Sequence, residues 1–387
     1  MSRWSGRLAP PRRESFTSVL HRERVAAVLG LALGVCFAVS FATGLVSYTL
    51  QRPPSWVTWP PRPAGFYRIS QGLHVAAGTA AVPLLLAKLW SVYPHLWGRP
   101  VVRDAAHLVE RVSLVPLVGG SLFLLFTGTI NVARWYSPMP FFFTVAHHWV
   151  AWITIGALVV HIGAKASVTR RALSPRSPDL TLAGEALGGG LGRRSFLATV
   201  FASSAVLVAT TVGQTVRPLR RLGLLAPRDP DLGPQGFPVN RSAVEAAVVD
   251  AARDPGWRLV VDGRVDRPLQ LTRSELAALA QHRATLPIAC VEGWSASATW
   301  TGVRVRDLLD AAGAAPGADV LVDSLERAGL YRRSTLNRLQ AADPDTLLAL
   351  QLDGEVLDVD HGYPVRLIAP NRPGVLCTKW VTHLEVL

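Results

Sequence analysis

The stretch GRRSFLATVFASSAVLVATTVGQ, Gly192 to Gln214, divides the chain into two kinds of protein. It holds the last of five apolar runs, at about 25–48, 73–93, 112–132, 146–164 and 196–213. Each run supplies the roughly 20 residues that an α-helix needs to cross about 30 Å of hydrocarbon. From Gly236 onward apolar residues come in short runs broken by Gly, Pro and Asp, the texture of a soluble domain. The expected fold is therefore multi-domain: an all-α transmembrane bundle of five helices followed by an α+β domain. Its expected boundaries are a cytoplasmic tail at 1–24, a four-helix membrane domain at 25–168, a cytoplasmic linker at 169–194, a fifth transmembrane helix at 195–215 and a soluble domain at 236–387.

Charge placement orients the bundle, because Lys and Arg of short loops stay on the cytoplasmic side. The formal charge is +13, and its cations are unevenly spread. Arg3, Arg7, Arg12, Arg13, Arg22 and Arg24 precede the first run; Arg99, Arg103 and Arg111 sit in the second loop; Lys165, Arg170, Arg171, Arg176, Arg193 and Arg194 sit in the fourth. The intervening loops hold only Arg52, Arg62, Arg68 and Arg134. The N-terminus is thus expected inside, and five crossings put the C-terminal domain outside the cytoplasmic membrane. The arginines serve topology and anionic lipid. No basic-aromatic array suggests a nucleic-acid partner.

Arg193-Arg194-Ser195-Phe196-Leu197 followed by a weak apolar run resembles a twin-arginine (Tat) export signal. Such a signal implies the Tat export machinery as a partner and a domain that leaves the cytoplasm already folded. No Ala-x-Ala site follows, so the run is expected to stay as an anchor. The glycine-rich linker Ser174 to Gly192 follows no strand and is no phosphate cradle.

Histidines are the ionisable groups of interest within the apolar runs, where such groups are costly and usually functional. His74 opens the second run, and His147 and His148 open the fourth. His161 follows His147 by 14 residues, nearly the same helix face about 21 Å further along. Neutral imidazole is an axial ligand of haem iron, and ligands from facing helices suit a cofactor held inside a bundle. One or two haem b groups are expected: an outer one between His74 and His147, with His148 as the alternative ligand, and an inner one on His161 with His95 or His107. A single haem on His74 and His161 is the other arrangement. Trp135, Tyr136 and Phe141 to Phe143 read as an interfacial aromatic belt.

In the soluble domain the pattern predicts strands at Trp257–Val261, near Leu269, at Thr285–Val291, Val320–Asp323, Val365–Ala369 and Lys379–Val386, and a strand pair meeting at Asp353-Gly354. Helices are expected after a capping box at Thr272 and Glu275 and near Val303–Ala312. Cys36 lies inside the first apolar run as a small apolar residue, so outside the membrane only Cys290 and Cys377 could pair. Cys290 ends a strand, where it could be a metal ligand, an inert thiol, or a nucleophile with His282, His361 or His383 as base.

Two blocks narrow that choice: IACVEGWSASATWTGVRVRDLL from Ile288, and LDGEVLDVDHGYPVRLIAPNRPGVLCTKWVTHLEVL from Leu352. They resemble the molybdopterin-binding domain of the sulfite oxidase family, above all the shorter bacterial members that include the catalytic subunit of the periplasmic methionine-sulfoxide reductase. The resemblance covers Phe237 to Leu387 and implies that Cys290 supplies the thiolate ligand of molybdenum. It also implies cofactor contacts at Asn240, Arg241, His361, Arg366 and Lys379. Trp294, Trp300 and Trp380 could wall the pocket. The chain departs from classical sulfite oxidases around CVEGW, and it is expected to lack their C-terminal dimerisation domain. Together these readings describe a membrane-anchored molybdenum oxidoreductase that moves an oxo group to or from a small oxyanion, S-oxide or N-oxide. It would exchange electrons with the quinone pool through haem. The alternative is a haem-bearing electron conduit whose outer domain only docks. A transporter is disfavoured, because no intramembrane carboxylate or internal repeat suggests a substrate path.

Overall fold

The computed structural model describes residues 16, 18–98, 100, 102–175, 192–229 and 231–387. Arg3, Arg7, Arg12, Arg13, Arg99, Arg176 and the body of the expected linker lie outside the described residues. The chain forms two compact units, Met1–Ala42 with His74–Thr211, and Thr43–Leu73 with Val212–Leu387.

The helices α1 (Glu23–Gln51), α2 (Phe66–Val92), α3 (Ala105–Val132), α4 (Phe143–Leu173) and α5 (Arg193–Thr211) coincide with the five expected runs; all five begin before the run does, and α1 and α4 also end after it. All five are long and apolar enough to cross a membrane, with mean hydropathy from 1.3 in α5 to 2.4 in α1. In the first unit α3 and α4 pack as neighbours, and the α3–α4 contact admits no side chain at Gly120. A Cβ there would lie 2.1 Å from the Thr154 hydroxyl. α3 begins seven residues before its expected start, so Glu110 lies inside the helix, where it forms an ion pair of 2.6 Å with Lys165 of α4.

The second unit carries two five-stranded sheets. In the first the order is β2 (Leu269–Leu271), β1 (Leu259–Gly263), β10 (Val381–Val386), β5 (Val320–Ser324), β6 (Arg333–Leu336); only β1 and β10 run parallel. In the second, β3 (His282–Ala289), β4 (Ser295–Arg304), β7 (Leu347–Leu352) and β8 (Glu355–Val356) pair in that order, and β9 (Arg366–Ile368) also pairs with β7. The short helices are α6 (Val249–Arg253), α7 (Arg273–Ala278), α8 (Val305–Ala312) and α9 (Arg338–Ala342). The capping box is present: the Thr272 side chain accepts from the Glu275 amide, and Glu275 accepts from the Thr272 amide at 2.8 Å. Leu259, Val261, Leu276, Leu308, Val320, Val322 and Leu384 share one buried core. Phe237, Leu286, Ile288, Cys290, Trp300 and Leu352 share a second.

β4 and β6 were not foreseen. The β4 sequence, SASATWTGVR, has small polar residues where alternation would place large ones. Yet it is buried on most of its length: it lies inside the sheet between β3 and β7, and its side chains pack into both cores, Ala296, Ala298 and Trp300 into one and Val303 into the other. The division of the chain also differs from expectation. The segment 43–73 belongs with the C-terminal unit, which begins at Val212. Arg62 donates to Asp343 at 3.2 Å, Asn371 donates to the Pro60 carbonyl at 2.8 Å and accepts from the Tyr67 amide at 3.0 Å, and Asn337 donates to the Trp59 carbonyl at 3.1 Å.

On the first sheet, His383 lies between Asp262 (2.6 Å) and Asp323 (3.3 Å), and Arg333 also pairs with Asp323. Burial alone would lower the His383 pKa, but the two carboxylates outweigh it and raise it above its ordinary value of 6.5. Burial opposes ionisation of Asp323 too, yet Arg333 and His383 pull its pKa below the ordinary 3.8. A raised histidine stabilises fully below its unfolded pKa, and that stability is lost as pH rises through the folded one. The thermal midpoint of the detergent-solubilised chain should therefore fall as pH climbs above 6.5. His383→Gln should flatten that decline, and an unchanged slope in the variant would remove His383 as its cause.

Candidate functional site

Cys290 follows directly on β3 and opens the turn into β4. The Cys290 amide donates to the Trp294 carbonyl at 3.0 Å, and its carbonyl accepts from the Gly293 amide at 3.1 Å. That double bond pattern is a four-residue turn closed by a residue with positive φ, and Gly293 meets it at +92°. Glu292 stays in place beneath the turn: it accepts from the Trp294 indole at 2.9 Å and faces Arg228 at 3.6 Å. The turn thus fixes the thiol at a strand end rather than leaving it on a mobile loop.

Around the thiol, one pocket is lined by Pro238, Val239, Asn240, Ile288, Cys290, Trp294, His361, Arg366, Gly374 and Lys379. Five of the six residues expected to bind the cofactor in this domain are brought together here. The sixth, Arg241, turns its guanidinium to Glu326 at 2.5 Å, and its carbonyl accepts from the Lys379 ammonium. Two glycines make the close packing possible. A Cβ on Gly374 would sit 2.8 Å from Ile288 and 2.9 Å from the Ala289 carbonyl. Gly362, at φ +110°, lets the backbone pass between the Lys379 and Arg366 side chains.

The electrostatics are those of an anion site. Arg366 is 4% exposed; it donates to the His361 carbonyl at 3.2 Å and lies over the Trp300 ring at 5.2 Å, and its Nε has no partner. Burial lowers its pKa to about 10. Lys379 donates to the carbonyls of Arg241 and Asp360, and burial, with the charge of Arg366, pushes it well below its ordinary value. His361 donates from Nε2 to the Pro234 carbonyl at 2.7 Å, which leaves Nδ1 as a buried lone pair without a partner. Burial and the nearby cations bring its pKa down to about 4, so it is neutral. No carboxylate lines this pocket. Asp360 and Glu326, outside the pocket lining, act on Lys379, whereas no carboxylate acts on Arg366; an anionic ligand would offset the cost of burying that charge. The donor set of a thiol, two cations, an imidazole and an asparagine fits a phosphate-bearing pterin with a metal.

The thiol fits ligation better than nucleophilic catalysis. Burial, and next the charge of Glu292, push the Cys290 pKa up to about 12, so the free thiol is protonated. Metal coordination deprotonates a thiol outright. Of the three candidate bases, His282 faces Asp307 at 3.4 Å and His383 is held by its two carboxylates; His361 shares the pocket and keeps a free Nδ1, but with a pKa of about 4 it is too weak a base for a thiol pushed up to about 12. Cys290 and Cys377 are both free thiols. Of the three tryptophans, Trp294 lines the pocket and Trp300 lies beneath Arg366, whereas Trp380 belongs to a separate core with Ala243 and Ala252. Sequence reasoning passed over Arg372. It is 4% exposed and donates to the Leu376 carbonyl, Gln340 Oε1, Ser334 Oγ and the Thr335 carbonyl. Nothing in NRPG distinguishes such a fully bonded arginine from a surface one.

In the first unit the His74 and His147 rings, on α2 and α4, lie with centres 6.2 Å apart. His74 Nδ1 bonds the Ser40 carbonyl and His147 Nδ1 bonds Thr127 Oγ1, both at 2.8 Å. At Gly78, one turn after His74, a Cβ would meet nothing within 4 Å. His148 differs: its Nε2 accepts from the Trp152 indole at 3.3 Å. His161 keeps a buried Nδ1 without a partner. His95 and His107 hold local bonds, to the Val92 carbonyl and from the Arg103 amide.

Residues 245–387 match the oxidoreductase molybdopterin binding domain family. The chain is 34% identical over 142 residues to the "Putative protein-methionine-sulfoxide reductase subunit YedZ1" of Azospira oryzae, covering 37% of this chain and 52% of that one. It is 30% identical to the protein-methionine-sulfoxide reductase catalytic subunit MsrP of Xanthomonas axonopodis, over 33% of this chain and 44% of that one. It is 26% identical to the sulfite oxidase of Arabidopsis thaliana, over 34% and 42%. The matched region thus spans about half or less of these relatives.

Proposed function

We propose that this chain, whose C-terminal domain is a molybdopterin-binding oxidoreductase domain of the sulfite oxidase family, is a membrane-anchored enzyme with its own haem b. It would transfer an oxygen atom to or from a small oxyanion, S-oxide or N-oxide and exchange electrons with the quinone pool. The observation that carries the reading is the convergence of Cys290, His361, Arg366, Lys379 and Asn240 on one pocket without a carboxylate. When bound, molybdenum supplies two-electron oxygen-atom transfer and haem supplies one-electron transfer. In this chain Cys290 holds the metal as thiolate, and Arg366 and Lys379 hold the anionic part of the pterin. His361 offers its free Nδ1 as an acceptor, and Trp294 closes the apolar wall. His74 and His147 hold the haem, each oriented by its Nδ1 bond. Outward-facing Leu31, Val115 and Val159, 59%, 74% and 64% exposed, support a lipid surround for the helices.

The competing conduit reading gives the outer domain no cofactor, and it leaves the buried guanidinium of Arg366 without a counter-charge. Metal and pterin analysis of purified protein, with a reduced-minus-oxidised visible spectrum, decides between them. Equimolar molybdenum and pterin support the enzyme, and their absence from protein made with full cofactor supply refutes it.

Export gives a further test. Arg193 and Arg194 begin α5, the least hydropathic of the five helices. Replacing both by lysine preserves the charge but removes the guanidinium pair that Tat recognition needs. Protease added to intact spheroplasts should digest the C-terminal domain of the parent and spare that of the double variant. If the variant's domain is still digested, the arginines are topology signals only.

A further inference from the structure

A line of polar side chains from α1 and α2 ends at the Cys290 turn. Tyr331 Oη donates to Gln51 Oε1 at 3.2 Å, Gln51 Nε2 to Ser47 Oγ at 3.2 Å, Ser47 Oγ to Gln71 Oε1 at 2.9 Å, and Gln71 Nε2 to the Val291 carbonyl at 3.3 Å. Ser47 and Gln71 are 8% and 4% exposed. The direction follows from the last link. A carbonyl only accepts, so Gln71 must present its amide nitrogen to Val291 and its oxygen to Ser47, whose hydroxyl must then donate. The Ser47 lone pair takes the Gln51 amide nitrogen, and that leaves Gln51 Oε1 for the Tyr331 hydroxyl. All four bonds therefore point the same way, the arrangement in which each polarises the next.

Val291 is the first central residue of the turn, and its carbonyl belongs to the peptide between the two central positions. Rotation of that peptide is what separates the common turn from the form that needs positive φ at the second central residue. That residue is Glu292, whose side chain is already engaged with Trp294 and Arg228. We propose that Gln71, held by Ser47, Gln51 and Tyr331, is a positioning residue that locks the Val291 peptide and so fixes the Cys290 sulfur for its metal. The metal part of this proposal rests on Cys290 being the molybdenum ligand; the locking part does not.

The test uses full-length protein in two forms. In cofactor-free protein, the alkylation rate of Cys290, assigned by peptide mass spectrometry so that Cys36 and Cys377 are scored apart, reports opening of the turn. Gln71→Leu should raise it about fivefold, the factor expected from one lost hydrogen bond. Ser47→Ala should raise it less, Tyr331→Phe least, and Ser47→Thr, which keeps the hydroxyl, should restore the parent rate. In loaded protein the Mo(V) electron paramagnetic resonance signal should shift or broaden in the same order. If Gln71→Leu does not accumulate, Ser47→Ala decides. Parent-like alkylation in both overturns the lock, and an effect confined to Gln71→Leu overturns the chain behind it. A parent protein without molybdenum would instead refute the proposed function, while the alkylation series would still judge the lock.

Discussion

Cys290→Ser should abolish turnover, by at least about 100-fold with an artificial electron donor, since even residues behind a metal ligand cost 10–100-fold when changed. The substitution is nearly isosteric in a site that is 4% exposed, so the turn and its bonds from the Cys290 amide and carbonyl should persist. What changes is the donor atom: a soft thiolate that metal binding deprotonates gives way to a hydroxyl that stays protonated. The spectrum of the proposed haem and the thermal midpoint should match the parent. Those two controls separate loss of ligation from loss of fold. Full activity in the variant would refute Cys290 as ligand and leave the high-pKa thiol as an ordinary core residue of the β3–β4 hairpin.

Arg366→Lys is a sharper comparison than removal, because it keeps the charge and loses the fork that reaches His361 and covers Trp300. The buried cations also show why the site could be read from sequence only in part. Cys290, His361, Arg366 and Lys379 stand in two blocks whose spacing is local, so the blocks could be recognised as units. The side-chain direction of Arg241 could not. Its neighbour Asn240 enters the pocket, while Arg241 turns to Glu326, 85 residues away. The five apolar runs were plain because each is a long local signal, and so was the capping box at Thr272. β4 was hidden because strand burial on both faces removes the alternation that marks a strand. The 43–73 segment was hidden because its bonds to Asp343, Asn337 and Asn371 span nearly 300 residues and involve backbone carbonyls that no residue type announces. Gln71 and Ser47 were invisible for the same reason: each looks like a stray polar residue near a membrane helix end until Val291 is placed against them.

On the proposed assignment of a haem to His74 and His147, His74→Ala and His147→Ala should each remove it and disconnect quinol from the C-terminal domain, with a loss of quinol-coupled turnover of at least about 100-fold. The two rings approach each other from α2 and α4 with centres 6.2 Å apart, so these are the residues that would hold the group. A carbonyl at Nδ1 makes that nitrogen of His74 the donor, so its Nε2 carries the lone pair; Thr127 holds His147 from the same side of its ring. His148→Ala is the internal control, because its Nε2 accepts from Trp152 instead. The reduced-minus-oxidised spectrum should be lost in the first two variants and kept in the third. Activity with a soluble artificial donor should survive in all three, since none of these residues lines the Cys290 pocket. His161→Ala then counts the groups. If half of the haem absorbance disappears, His161 serves a second haem. If none does, the bundle holds one, on His74 and His147. Haem content unchanged in His74→Ala would end the assignment, and the α2–α4 histidine pair would then be a polar contact between helices.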